Sequence, residues 1–264
     1  MELVAGYCGA FIIGLTLGLM GSGGSILTVP LLVYVFGIDP VIATAYSLFI
    51  VGTTSAFGTF KNHLNDNVAF RTGLIVAVPS FISVYLTRKY IVPQLPAVFE
   101  WEGFSLHRDT FIMLLFAIVM ALAAASMLLR KIDDEAPCTE KKMKYIVVLP
   151  YIAFIGVIMG LVGAGGGFLI IPMLVFFGGL PIKKAVGTSL FIITLNALTG
   201  FSGDLQRITV DWAFLLPLTI ISVFGIFAGT YLHKFVNEKQ LKKGFGFFVL
   251  AMAIFILSKE IMGY

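Results

Sequence analysis

Two short stretches constrain this chain more than any other feature. GLMGSGGSILTVPLLV, Gly18 to Val33, returns as GLVGAGGGFLIIPMLV, Gly160 to Val175. Gly21, Gly23 and Gly24 are matched by Gly163, Gly165 and Gly166, and in each copy a proline, Pro30 or Pro172, stands six residues after the last of them. Glycine permits dihedrals that other residues avoid, and it costs helix stability. An uncharged glycine run inside a long apolar region therefore reads as two half-helices meeting at membrane depth.

The likeness between the copies extends beyond the glycines. Gly18–Ile50 aligns with Gly160–Ile192 without a gap at an offset of 142 residues, with 15 of 33 positions identical, including the quartet Ser47–Ile50 and Ser189–Ile192. Chance apolar similarity would not hold the glycines, the proline and this quartet in one register, so the chain carries an internal duplication. Its class follows from composition. Only 12% of residues are charged and 59% are hydrophobic, where a soluble domain has about 25% charged. The apolar segments are continuous rather than alternating, which favours helices over a barrel. With a longest polar stretch of about fifteen residues, the sequence leaves no room for a soluble domain. The two cysteines, Cys8 and Cys138, exclude a disulfide framework. MELVAGYCGAFIIG has Glu2 and no basic residue before its apolar run, so it is expected to be a retained segment and not a cleaved signal peptide.

The expected fold is an all-α polytopic membrane protein of two repeats with inverted topology, each a glycine-broken or re-entrant helical hairpin followed by three long helices. Apolar segments are expected at 3–20, 25–36, 41–60, 68–91 with a kink at Pro79, and 110–129, with an amphipathic stretch VPQLPAVFEWEGFSLHRD before the last. The second half repeats the pattern at 145–161, 168–178, 183–203, 210–232 and 241–258. The first repeat covers 1–129, a charged linker 130–144, and the second repeat 145–264. Segments 25–36 and 168–178 are too short to cross about 30 Å of hydrocarbon unaided, so they either re-enter or span with help from neighbours.

Five segments per half is an odd number of side changes, which inverts the second half relative to the first. Thirteen of the 18 basic residues, among them Lys61, Arg71, Lys183, Lys184 and the linker lysines, then fall on one side, leaving Arg88, Lys89, Arg108, Arg207 and Lys259 for the other. The positive-inside rule makes the first side cytoplasmic and puts both termini outside, in the inner (cytoplasmic) membrane. The same crowding of lysines explains the net charge of +4 and excludes nucleic acid as a partner. Membrane lipid is the expected surroundings, and homodimerisation is left open.

Inverted repeats with broken helices are the construction of an alternating-access carrier whose site lies near the midplane, where the two breaks are expected to converge. Half-helices beginning at Ser25 and near Phe168 would point unpaired N–H groups and positive dipole ends into one cavity, a setting for a small anionic substrate. Candidate binding residues are Gly21, Ser22, Gly23, Gly24 and Ser25 in the first copy and Gly163, Gly165, Gly166 and Gly167 in the second; close helix packing is the competing explanation for the glycines. Gly225 and Gly229 read as packing. Two polar runs, Thr44, Ser47, Thr53, Thr54, Ser55 and Thr188, Ser189, Thr194, Asn196, Thr199, add Ser47, Ser189 and Asn196 as cavity-lining candidates, against back-bonding within each helix. For coupling or gating the candidates are Lys61, His63, Asp204 and Arg207, with an exposed or loop-capping role the alternative for His63. No carboxylate pair lies within the apolar segments, which weakens metal-cation exchange, and no metal or cofactor is expected.

On GLMGSGGSILTVPLL, ATAYSLFIVGTTSAFG, GLVGAGGGFLIIPML and AVGTSLFIITLNALTG, with Pro30 and Pro172, the chain resembles the TauE/SafE family of membrane permeases, the sulfite exporter family, over about residues 7 to 258. The resemblance implies movement of sulfite, sulfonates or related small organic anions, often as export and coupled to protons. One departure from the duplicated pattern is that Ser83 and Thr87 stand where the second half has Gly225 and Gly229. Two alternatives are an intramembrane phosphatase or lipid-processing enzyme and an anion channel. The enzyme is disfavoured by a cradle of glycines and serines with no neighbouring Glu or Arg.

Overall fold

The computed structural model describes residues 2–21, 24–101, 104–129, 145–163, 167–176, 178–232 and 238–262. Helix α1 (Glu2–Met20) ends at Gly21, whose φ of +73° is open to glycine without strain. After the break, α2 (Ser25–Pro30) continues through a π-helical turn, Leu31–Val35. Helix α3 (Pro40–His63) is started by Asp39, whose carboxylate accepts from the backbone N–H of Val41 at 2.8 Å and of Ile42 at 3.4 Å. Pro40 fits the first turn because its missing N–H would have had no partner there.

The first half continues with α4 (Phe70–Leu86), a second π-helical turn at Thr87–Ile91, α5 (Val92–Gln94), an antiparallel pair β1 (Val98–Trp101) and β2 (Phe104–His107), and α6 (Arg108–Leu129). The second half has α7 (Tyr145–Val162), α8 (Gly167–Phe176), α9 (Ile182–Asp204), α10 (Trp212–Leu232) and α11 (Glu238–Met262). Both halves repeat the same backbone turns: Gly163 has φ +71° where Gly21 has +73°, and Gly179 has +62° where Gly37 has +64°.

This is the multi-pass, helical membrane protein expected. Among the described residues five helices are long and apolar enough to cross a membrane: Pro40–His63, Phe70–Gln94, Arg108–Ala125, Lys183–Asp204 and Trp212–Leu232. Large apolar side chains such as Phe154, Ile220 and Phe224 are exposed on the outer faces, as lipid contact requires. One detail differs from the sequence reading. The stretch before α6 is a β-hairpin, with Val98 opposite His107 and Phe99 opposite Leu106; it is too short and too rich in β-formers to hold a helix. Helix α4 includes Pro79 and passes into the π-helical turn Thr87–Ile91. The linker 130–144 lies outside the described residues.

Helices α3 and α9 form the centre and run antiparallel. Gly52 faces Ala197 and Leu198, Gly200 faces Leu48, and Gly187 stands beside Asn62. The outer packing is reciprocal: α1 lies on α10 of the other half, α7 lies on α4, and α6 pairs with α11. In the first of these contacts Gly14 and Gly18 meet Gly225 and Gly229 backbone to backbone, the close approach that small residues permit between membrane helices. In the second, Gly156 and Gly160 meet Ser80, Ser83, Val84 and Thr87, so only one side of that seam is glycine.

Candidate functional site

Each glycine break is seated on the start of the other half's first long helix. A side chain on Gly163 would stand 2.5 Å from Thr44 Cβ and 2.7 Å from the Thr44 carbonyl oxygen, near the start of α3. At Gly21 it would meet Val186, near the start of α9. Because α3 and α9 are antiparallel, these starts lie at opposite ends of the pair. Gly21 is level with Asn62, the neighbour of Gly187, and Gly163 with Thr44. At about 1.5 Å per residue along α3, that separates the breaks by roughly 27 Å. They do not converge at one point, as the sequence had suggested.

At the Gly163 end lies a buried ion pair. Arg88, in the π-helical turn after α4, is 0% exposed, and its Nη1 donates to Asp204 Oδ2 at 3.1 Å and to Thr44 Oγ1 at 3.1 Å. The Thr44 hydroxyl donates in turn to the Val41 carbonyl at 2.8 Å. Small residues make room for the guanidinium. A side chain on Gly203 would stand 3.2 Å from Arg88 Cβ, and one on Gly163 would stand 2.6 Å from Arg88 Nη2. Among the described residues Arg88 Nε and Nη2 have no hydrogen-bond partner, nor do the buried hydroxyls of Thr87 and of Ser47, one turn beyond Thr44. Just outside, Arg207 Nη2 donates to the Lys89 carbonyl at 3.0 Å.

Arg88 is absent from the sequence-predicted site: it falls within the segment expected at 68–91 and is counted only among the basic residues of the outer side. Its neighbourhood also overturns the statement that no Arg adjoins a glycine break. The overlooked signal was spacing: Ala77, Ser80, Val84 and Arg88 recur at intervals of three and four, and all are buried on one face of α4 and its extension. Lys89, one residue further, falls outside that stripe.

The remaining candidates are spread through the core. Ser22, Gly23, Gly165 and Gly166 lie outside the described residues. Gly24, against Ile13 and Thr16 of α1, precedes Ser25, which is fully buried, and Gly167 is the first residue of α8. Ser189 Oγ donates to the Val186 carbonyl at 2.7 Å and lies 3.5 Å from the Gly21 carbonyl. Asn196, between the two ends, donates from Nδ2 to Ser80 Oγ at 2.7 Å, and its buried Oδ1 has no partner among the described residues. Ser47 and Ser189 thus belong to opposite breaks. Of the charged candidates, Asp204 alone is buried; Lys61, His63 and Arg207 are exposed. His63 rests edge-on against Phe70, with ring centroids 5.1 Å apart.

The sequence profile of the family described as sulfite exporter TauE/SafE matches residues 7–256. The chain belongs to this family. Relatives of this TauE/SafE chain include a probable membrane transporter protein of Xylella fastidiosa, 28% identical over 251 residues that span 93% of this chain and 91% of the relative. Another, the probable membrane transporter protein YunE of Bacillus subtilis, is 27% identical over 255 residues, 87% of this chain and 89% of its own. A probable membrane transporter protein of Methanocaldococcus jannaschii is 34% identical over 125 residues, 44% of this chain and 47% of the relative. No solved structure matches the chain. The family and the names of these relatives identify a membrane transporter.

Proposed function

We propose that this TauE/SafE protein is a secondary transporter that moves a small sulfur-containing or organic anion, sulfite or a sulfonate, across the inner membrane by alternating access. The observation that carries this reading is the placement of the two glycine breaks at opposite ends of the antiparallel α3–α9 pair, each seated on the other half. A break that opens at one end while the other stays packed exposes the core to one side at a time, which is the behaviour of a carrier built from inverted repeats. The anion class is supported by the family description and by the buried guanidinium beside Gly163.

In this reading the two halves have opposite orientations, the Asn62 end and the linker 130–144 face the cytoplasm, and the Asp204 end and both termini face outward. Ser47, Asn196 and Ser189 are the polar rungs of the path between the breaks. Asp204 is the coupling residue, exchanging a proton as its pairing with Arg88 is made and broken. Arg207 gates the same mouth, and Lys61 and His63 flank the other. The relatives' names favour a carrier over the phosphatase. The test is counterflow of labelled sulfite into proteoliposomes preloaded with unlabelled sulfite, sulfonate or carboxylate. Saturable accumulation is the expected result. Absence of counterflow with every anion would reject the carrier, and flux far above carrier rates would replace it with a channel.

A further inference from the structure

We infer that Arg88 is an oxyanion-binding residue, and that its Nε–Nη2 edge receives two oxygens of a sulfonate, sulfite or carboxylate group when the Gly163 break opens. The inference rests on the anion-carrier reading for its biological use, and its geometry is independent of it. A guanidinium offers donors along two edges and at its tip, and the edge formed by Nε and Nη2 is the one whose parallel N–H groups match two oxygens of one head group. In this chain the opposite nitrogen, Nη1, holds Asp204 and Thr44 at 3.1 Å each, while Nε and Nη2 have no partner among the described residues. Asp204 and Thr44 therefore fix the orientation of the fork without occupying its bidentate edge.

Unpaired donors on a fully buried cation are costly, and a purely structural arginine would turn that edge to a carbonyl or a second carboxylate. Here Nη2, one end of that edge, faces a glycine, a position that carries no side chain. Nη2 points at Gly163, where even a methyl group would stand 2.6 Å away, and the glycine's φ of +71° shuts out other residues as well. Thr87 adds a second unpartnered group: its buried Oγ1 sits on the residue before Arg88, and its Cβ would be 2.7 Å from a side chain on Gly160, one turn before Gly163. The π-helical turn Thr87–Ile91 carries both residues, and such turns recur at functional sites because they re-aim side chains that an α-helix would point elsewhere. Lys89 and Arg207 on the adjoining surface give the approach a positive fringe.

The decisive variant is Arg88→Lys, which keeps the charge facing Asp204, and hence the fold, while removing the paired donors. Calorimetric titration of purified wild type with sulfite, methanesulfonate and acetate, with chloride as a spherical control, should show oxyanion binding that exceeds chloride binding. Arg88→Lys should weaken oxyanion binding by about tenfold or more, the scale of a lost charge-assisted bond, and leave chloride unchanged. A double variant, Arg88→Met with Asp204→Leu, removes the pair together and should bind no oxyanion while remaining folded. Oxyanion affinities equal to wild type in folded Arg88→Lys, or a wild type that does not prefer oxyanions to chloride, would overturn the inference. Flux separates it from the carrier reading. Normal counterflow in Arg88→Lys rejects the site and keeps the carrier, whereas oxyanion binding at Arg88 without wild-type counterflow keeps the site and rejects the carrier.

Discussion

At Gly21 and Gly163 the chain makes nearly the same left-handed turn, with φ of +73° and +71°, and each turn presses on the start of the other half's long helix. Their neighbours differ in kind. Gly21 meets the apolar Val186, whereas Gly163 meets Thr44 and the Arg88 guanidinium. At the 142-residue offset, Arg88, Thr44 and Asp204 correspond to Thr230, Val186 and Asn62, so all three members of the ion-pair cluster have uncharged counterparts. Duplication supplied two equivalent backbone breaks, and substitution made one of them electrostatic. Among the described residues the Gly21 end carries no ion pair, whereas any rearrangement at Gly163 also disturbs a buried one.

The strongest way to break this comparison is to remove the charge on one side. Arg88→Ala leaves Asp204, 6% exposed, without its counter-ion and should cost about 3–5 kcal/mol of stability. Thr230→Ala at the equivalent place, where the hydroxyl only bonds back to the Phe227 carbonyl at 2.9 Å, should cost no more than about 0.5 kcal/mol. Thermal unfolding in detergent reads both, and equal losses would show that the two ends are held alike.

Next in size are Gly163→Ala and Gly21→Ala, each of which forces an alanine into a left-handed conformation and into its neighbour, at about 2–3 kcal/mol. They should part on rescue. Val186→Ala relieves the crowding at Gly21, but Thr44→Ala does not relieve Gly163, because the Thr44 carbonyl remains 2.7 Å from the new Cβ. Recovery of the same share of stability in both pairs would contradict the different seating of the breaks.

The reciprocal seams sharpen the comparison further. Gly229→Ala drives a methyl into the Leu15 backbone of α1 and should destabilise by about 1–3 kcal/mol. Thr87→Ala, at the matching place in the π-helical turn after α4, removes a hydroxyl that has no partner among the described residues and should stay within about 0.5 kcal/mol. The smallest contrast between the halves is expected at the helix starts: Asp39→Ala removes the cap of α3 at about 1 kcal/mol, whereas α9 begins after Pro181, which makes no side-chain cap. An unfolding midpoint unchanged by Asp39→Ala would mean that packing alone sets where α3 begins.

Much of the architecture was legible along the chain because membrane helices are announced by local composition. The segments read at 41–60, 183–203 and 210–232 are the helices Pro40–His63, Ile182–Asp204 and Trp212–Leu232, and the glycine motifs mark true breaks. The β-hairpin at Val98–His107 was hidden in an amphipathic stretch whose alternation is only a few residues long. The candidate site was half legible. Asp204 stood out as a carboxylate at the end of an apolar segment, but Arg88, near the end of the segment read at 68–91, was missed because a basic residue beside Lys89 at a helix end reads as an interfacial charge, whereas the fold buries it completely.

The sequence by itself determined a helical, multi-pass, internally duplicated transporter, since hydropathy and a repeated motif are local properties that survive without coordinates. Tertiary structure decided which end of the duplicated core became charged. That outcome depends on residues from α3, α4, α7 and α9 meeting at one level, and the antiparallel packing of α3 against α9 is what brings Asp204 across from Thr44 and moves Gly21 to the far end.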